Sequence, residues 1–124
     1  MLEPFYDEVG PGWRPILETL NQRFLGVCAA EPLGQIKIDQ VKEKFGRLQV
    51  YTTRLHFSDW ALEALSGYAT DAFLLSCDSC EECGATEGVV CRGPLGQKFG
   101  WMKTYCEEHH AERDARGVGS LRDK

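Results

Sequence analysis

The sequence predicts an α+β protein: a helix, an antiparallel β-hairpin, a second helix, and a cysteine-rich C-terminal hairpin packed on the same body. Three observations predict it. Apolar residues recur at three- and four-residue steps over 13–28 and again over 61–76, the stripe of an amphipathic helix. Between them, over 35–51, the period drops to two. After them, residues 77–110 hold five of the six cysteines and two of the three histidines.

The elements follow in order. Residues 1–12 read as an arm, with turn chemistry at Val9-Gly10-Pro11-Gly12. Trp13, Ile16, Leu17, Leu20, Phe24 and Cys28 form the first helical stripe. Pro15 sits in its first turn, where a missing N–H costs nothing, and Glu31-Pro32-Leu33-Gly34 ends it. Cys28, on that stripe, reads as a small core residue. Ile36 and Ile38 then alternate with polar neighbours, as Leu48 and Val50 do after a turn at Phe45-Gly46. Val41 breaks the phase, which predicts a bulge near Asp39-Gln40. The outward face carries Lys37, Arg47, Gln49 and Tyr51, with Lys42 and Lys44 nearby. Such a face is either solvated, its charges blunting edge pairing, or a contact surface.

Residues 52–57 read as a connector holding His56, and Ser58 or Asp59 as a helix cap. Ala61, Leu62, Leu65, Tyr68, Ala69, Ala72, Phe73 and Ser76 form the second, wider stripe, with Gly67 available for close packing. The core thus spans 13–76 and passes without a linker into a metal unit at 77–112. Residues 110–116 can add a short helix, and 113–124 form a polar tail expected to fray.

Two short pairs define the metal unit: Cys80-x2-Cys83 followed by Gly84, and Cys106-x2-His109. A two-residue spacer lets two side chains of a tight turn face one ion, and four such donors close a tetrahedral site. Between the pairs, 88–92 and 99–105 read as the strands of a hairpin with its tip at 93–97. This is the pattern of a zinc ribbon with a structural zinc ion on Cys80, Cys83, Cys106 and His109. Alternatives remain at each end. Cys77-x2-Cys80 has the same spacing but no following glycine, His110 neighbours His109, and Cys91 lies on the outgoing strand. All three stand as alternative ligands.

Other chemistry is sparse. The sequence has no phosphate-binding loop, nucleophile elbow or His-Glu-x-x-His. A deaminase site would need His-x-Glu upstream of Pro-Cys-x-x-Cys; His56-Phe57-Ser58 does not supply the first, and Ser79 stands where the proline would be. An enzyme is not expected. The formal net charge is −5, with 7 Lys/Arg and 10 Asp/Glu in residues 1–76 and 7 and 9 in 77–124, so no basic block marks a nucleic-acid footprint. No apolar run approaches the roughly 20 residues of a membrane span. The first residues lack an apolar signal core. Six cysteines in a chain read as cytoplasmic argue for metal over disulfides.

Three stretches carry a resemblance: Gly12-Trp13-Arg14-Pro15-Ile16-Leu17, then 40–48 (QVKEKFGRL), then Cys80-Glu81-Glu82-Cys83-Gly84 with 100–109 (GWMKTYCEEH). Together the chain resembles a group of small, mostly uncharacterised bacterial and phage-encoded proteins with a helix–hairpin–helix core and a C-terminal Cys-x2-Cys/Cys-x2-His unit. The resemblance covers about 10–111 and implies this architecture and a metal site, but no activity.

The expected function is a small non-enzymatic interaction module, phage-encoded, that binds and modulates a host or defence protein, in the manner of an inhibitor. Candidate contact residues are Trp101, Tyr105, Lys103, Tyr51 and Arg47. Trp101 and Tyr105 share a strand face that otherwise packs on the second helix. The alternative is a nucleic-acid-binding ribbon using Arg92, Lys98 and Lys103 with Trp101 stacking on a base. The acidic residues beside both ligand pairs, Glu81, Glu82, Glu107 and Glu108, weigh against it.

Overall fold

Trp13 closes the N-terminal turn that feeds the first helix, and its indole is completely buried. The computed structural model describes residues 1–95 and 101–122. Helix α1 spans Arg14–Ala30 and buries Ile16, Leu17, Leu20, Phe24 and Val27. Val27, not Cys28, takes the last buried place of the stripe, and Cys28 is half-buried at its margin. The expected loose arm is packed structure instead. Residues Glu3–Glu8 form a 3-10 helix, and Leu2 and Val9 on either side of it are buried in the main core. The Leu2 N–H donates to the buried Asn21 Oδ1 (2.7 Å), which ties the chain start to α1.

Strands β1 (Gln35–Lys44) and β2 (Arg47–Leu55) form an antiparallel pair whose register shifts between Ile38 and Gln40. Asp39 is the extra residue, as the phase of Val41 predicts. The turn uses positive φ at both Phe45 (54°) and Gly46 (79°), the conformation that fits the twist of a two-residue hairpin loop. Thr52–Leu55, expected as a connector, pairs with Gln35–Ile38 and lengthens β2. Ile38, Val41 and Leu48 point into the core, in the phase that the alternation predicts, and the pairing continues past Tyr51 to Leu55.

Helix α2 (Asp59–Cys77) starts at Ser58, whose Oγ accepts the Ala61 N–H (3.2 Å). It packs on α1 and β2 through Ala61, Leu65, Ala72 and Ser76, with Tyr68, Ala69 and Phe73 part-buried. Leu62 lies outside the stripe and is exposed. Gly67 faces open space, so close packing is not its reason.

The C-terminal unit has strands β3 (Val90–Arg92) and β4 (Lys103–Tyr105), paired antiparallel, then helix α3 (Glu107–Arg116). Both strands are shorter than expected, and part of the hairpin tip (96–97), Lys98, and the start of the returning strand (99–100) lie outside the described residues. The tail over 117–122 docks. Leu121 N–H donates to the Tyr105 hydroxyl (3.2 Å), Ser120 is buried, and the Arg113 guanidinium donates to Gly119 O (3.1 Å). Among the described residues no helix is long and apolar enough to cross a membrane.

Candidate metal centre

Cys80 and Cys83 lie on the tight turn that follows α2. Gly84 N–H donates to Cys80 O and Cys80 N–H to Ala85 O, both at 2.9 Å. Gly84 takes φ 77°, the left-handed conformation that closes such a turn without strain. The β3–β4 pair then returns the chain so that Cys106, the N-cap residue of α3, and His109, in its first turn, face the first pair. The donor atoms of Cys80, Cys83, Cys106 and His109 all lie within 4.8 Å of one another. Cys83 and Cys106 Sγ are 3.8 Å apart, and His109 Nδ1 is 3.2 Å from Cys106 Sγ and 3.5 Å from Cys80 Sγ. These four residues can hold a metal ion.

Burial and hydrogen bonding act in opposite directions on the two buried thiols. Burial pushes the Cys80 thiol up to about 11, against hydrogen bonds from the backbone around Cys106, Cys83 and Glu82. A thiol so placed ionises readily only beside a positive charge. Burial also opposes the Cys106 thiolate, but hydrogen bonds from His109 and the neighbouring thiols outweigh it and lower its pKa. The helix N-terminus at Cys106 favours the same ionised form.

The alternative ligands fall elsewhere. Cys77 turns back along α2, its Sγ 3.4 Å from Phe73 O. Cys91 packs against the β1–β2 turn, with its thiol on Phe45 O (3.4 Å). His110 is a buried core histidine: its Nε2 is 2.6 Å from Val90 O, and its Nδ1 is 3.1 Å from the Arg113 guanidinium. Arg113 can only donate, so Nδ1 is the acceptor and Nε2 carries the proton. Burial lowers the His110 pKa and keeps the ring neutral. His110→Gln should therefore keep one bound metal per chain, whereas His109→Ala should lose it. Metal content by mass spectrometry after dialysis separates the two.

Besides the Cys91 thiol on Phe45 O and the Arg122 guanidinium on Asp7 O, two groups of contacts fasten the centre to the core, and the sequence pattern reveals neither. The first is the segment Gly10–Trp13, which the sequence marks only as the end of a turn and the start of the first helical stripe. Gly12 N–H donates to Glu81 O (2.7 Å) and the Trp13 indole N–H to Ser79 O (2.9 Å). A Cβ on Gly12 would stand 2.1 Å from Cys80 O and 2.5 Å from Gly84 N, inside the backbone of the ligand turn. Gly12→Ala is thus expected to cost about 3 kcal/mol in denaturant unfolding and to weaken metal retention with it, because backbone has no rotamer by which to yield. An unchanged midpoint would contradict this packing.

The second contact is a buried ion cluster. Lys103 Nζ lies 3.1 Å from Glu43 Oε2 on β1 and 3.5 Å from Glu81 Oε1. Burial raises the Glu81 carboxyl to about 7 against the pull of Lys103. Burial alone would lower the Lys103 ammonium, but Glu81 and Glu43 outweigh it and raise its pKa. Beside it, Glu81 Oε2 accepts the Thr104 N–H (3.1 Å), and the Thr104 hydroxyl donates to Gly46 O at the β1–β2 turn. The core hairpin and the metal unit are one packed body.

These placements correct several expected contact residues. Lys103 is buried in the ion cluster, and Tyr105 is fully buried in the small core of the metal unit with Cys80 and Cys106. Neither can meet a partner. Arg92 is held by Asp114 (2.7 Å), whose carboxyl is drawn down to about 2 chiefly by that bond, so Arg92 is committed as well. Glu81 is no exposed acidic flank. Trp101, Tyr51 and Arg47 are exposed. No family model, curated protein or solved structure matches the chain.

Proposed function

We propose that the protein is a small non-enzymatic binding module whose C-terminal unit is held in shape by one structural zinc ion. The observation that carries this reading is the four-donor cluster. A tetrahedral zinc with bonds of about 2.3 Å to sulfur and about 2.0 Å to nitrogen has S···S edges of about 3.8 Å and S···N edges of about 3.5 Å. Three of the cluster's six edges are 3.8, 3.5 and 3.2 Å, and all of its donor atoms lie within 4.8 Å of one another. Three thiolates and an imidazole suit zinc, and four protein donors leave no position for water or substrate. The residues around the donors serve shape: Gly12, Trp13, Glu81 and Thr104 join the ligand turn to the core.

A metal with no open position contributes rigidity, so function falls to the surface that it fixes. The chain then works by presenting that surface to a macromolecular partner, as its exposed Trp101, Tyr51 and Arg47 support. Exchange of the ion tests this. Cobalt(II) bound in place of zinc should show the intense visible bands of a tetrahedral thiolate site and leave the fold unchanged. An octahedral cobalt spectrum, or a metal-dependent hydrolytic activity, would overturn the reading.

A further inference from the structure

We infer that the turn end of the β1–β2 hairpin, with Trp101 beside it, binds single-stranded nucleic acid; this rests on the binding-module reading above. The first observation is a segregation of charge. By register Lys42, Lys44 and Arg47 share the outward face, with Lys44 opposite Arg47 and Lys42 opposite Gln49, and the Arg47 guanidinium lies 5.9 Å from the Phe73 ring centre of α2 at the edge of that face. The acid between the two lysines, Glu43, alternates to the other side, where it accepts from the Gly46 N–H and pairs with Lys103. The next acid along β1, Asp39, sits at the bulge against Lys37 and Thr53. A chain of net charge −5 thus carries a stripe of three cations with no outward carboxylate among them. An anionic occupant complements it.

The second observation is where the rings stand. Phe45 is 67% and Trp101 65% exposed, and Tyr51 lies further along the same hairpin face. Phe45 occupies a turn position at φ 54°, where asparagine or glycine would serve folding better and a bulky ring is uncommon. Folding does not explain that ring. With Trp101, Met102, Glu43 and Lys44 it lines a cleft of about 400 Å³. Lys44 Nζ lies 5.9 Å from the Phe45 ring centre, and Lys42 Nζ 5.4 Å from that of Tyr51.

Rings interleaved with cations match the alternation of bases and phosphates along one strand. A duplex keeps its base faces stacked and offers these rings nothing. An acidic protein segment would satisfy the cations but not a cleft flanked by flat rings. Nucleic acid therefore enters by a different surface from the Arg92, Lys98 and Lys103 face. Arg92 and Lys103 are committed within the fold, and Lys98 lies outside the described residues.

Fluorescence anisotropy of a labelled oligothymidylate, titrated with the zinc-loaded chain at low salt, tests the inference. Micromolar binding is expected, and three phosphate contacts should weaken it roughly 20-fold between 50 and 200 mM salt. Phe45→Asn keeps a residue suited to the turn, so it should preserve the melting temperature while weakening binding about 5- to 150-fold, the range for one lost stacking partner. Joint Lys42→Ala, Lys44→Ala and Arg47→Ala should abolish the salt dependence, and Lys37→Ala beyond the bulge should change little. A duplex of equal length binding as tightly, or polyglutamate displacing the oligonucleotide equally well, would overturn the inference. Zinc content and melting temperature from the same sample separate the two readings. A folded chain with one zinc that leaves the oligonucleotide unbound sinks this inference alone; a folded chain without zinc sinks the module reading.

Discussion

Stripping the metal with a chelator is expected to collapse the C-terminal unit and to loosen the core that it is sewn to. Binding of zinc to a site of this type is worth on the order of 10 kcal/mol, and that free energy is lost with the ion. Without a cation, three thiols and an imidazole crowd within 4.8 Å of one another, and the small core around Cys80, Tyr105 and Cys106 has little else to hold it. The effect should reach residue 13. Ser79 O accepts the Trp13 indole N–H, and Glu81 O accepts the Gly12 N–H, so a disordered ligand turn deprives both of partners. Near-ultraviolet circular dichroism should lose the signal of the buried Trp13 together with that of Tyr105, while α1 and α2 keep most of their far-ultraviolet signal. Cys106→Ser should do the same without a chelator. Two separate losses, with Trp13 unaffected, would mean that the units are not coupled as described.

Removal of the buried ammonium should have the next largest effect. Lys103→Ala leaves Glu81 and Glu43 facing each other without a cation, and breaking a buried pair from one side costs about 3–5 kcal/mol. Replacing all three together, with Lys103→Met, Glu81→Gln and Glu43→Gln, should restore most of the loss, because no buried charge then remains unpaired. Urea unfolding of wild type, single and triple variants reads this directly. A triple variant no better than Lys103→Ala would locate the cost in lost packing, not in charge.

The helices, the hairpin, the bulge and the four residues that can hold a metal ion were legible because each is a local pattern. Period 3.6 gave α1 and α2, period two gave β1 and β2, and Val41 out of phase marked Asp39. The two-residue spacers and Gly84 marked the ligand turn. What stayed hidden is tertiary. Nothing local tells that Gly12 must lack a Cβ for the sake of Cys80, sixty-odd residues away. Nothing local tells that Lys103 pairs inward with Glu43 and not outward with solvent. Buried charges misled most, because Lys103, Glu81 and Arg113 read as surface residues until their partners are seen. The tail misled for the same reason. Its glycines suggest fraying, but Arg113 donates to the carbonyls of Arg92, Trp101 and Gly119 and pins it.

The closed zinc centre is tested most directly by X-ray absorption at the zinc edge on the purified chain, together with metal content. One zinc per chain, with three sulfur neighbours at about 2.3 Å and one nitrogen at about 2.0 Å, is the expected result. A folded chain without zinc, or a zinc carrying fewer sulfurs and a water oxygen, would contradict it.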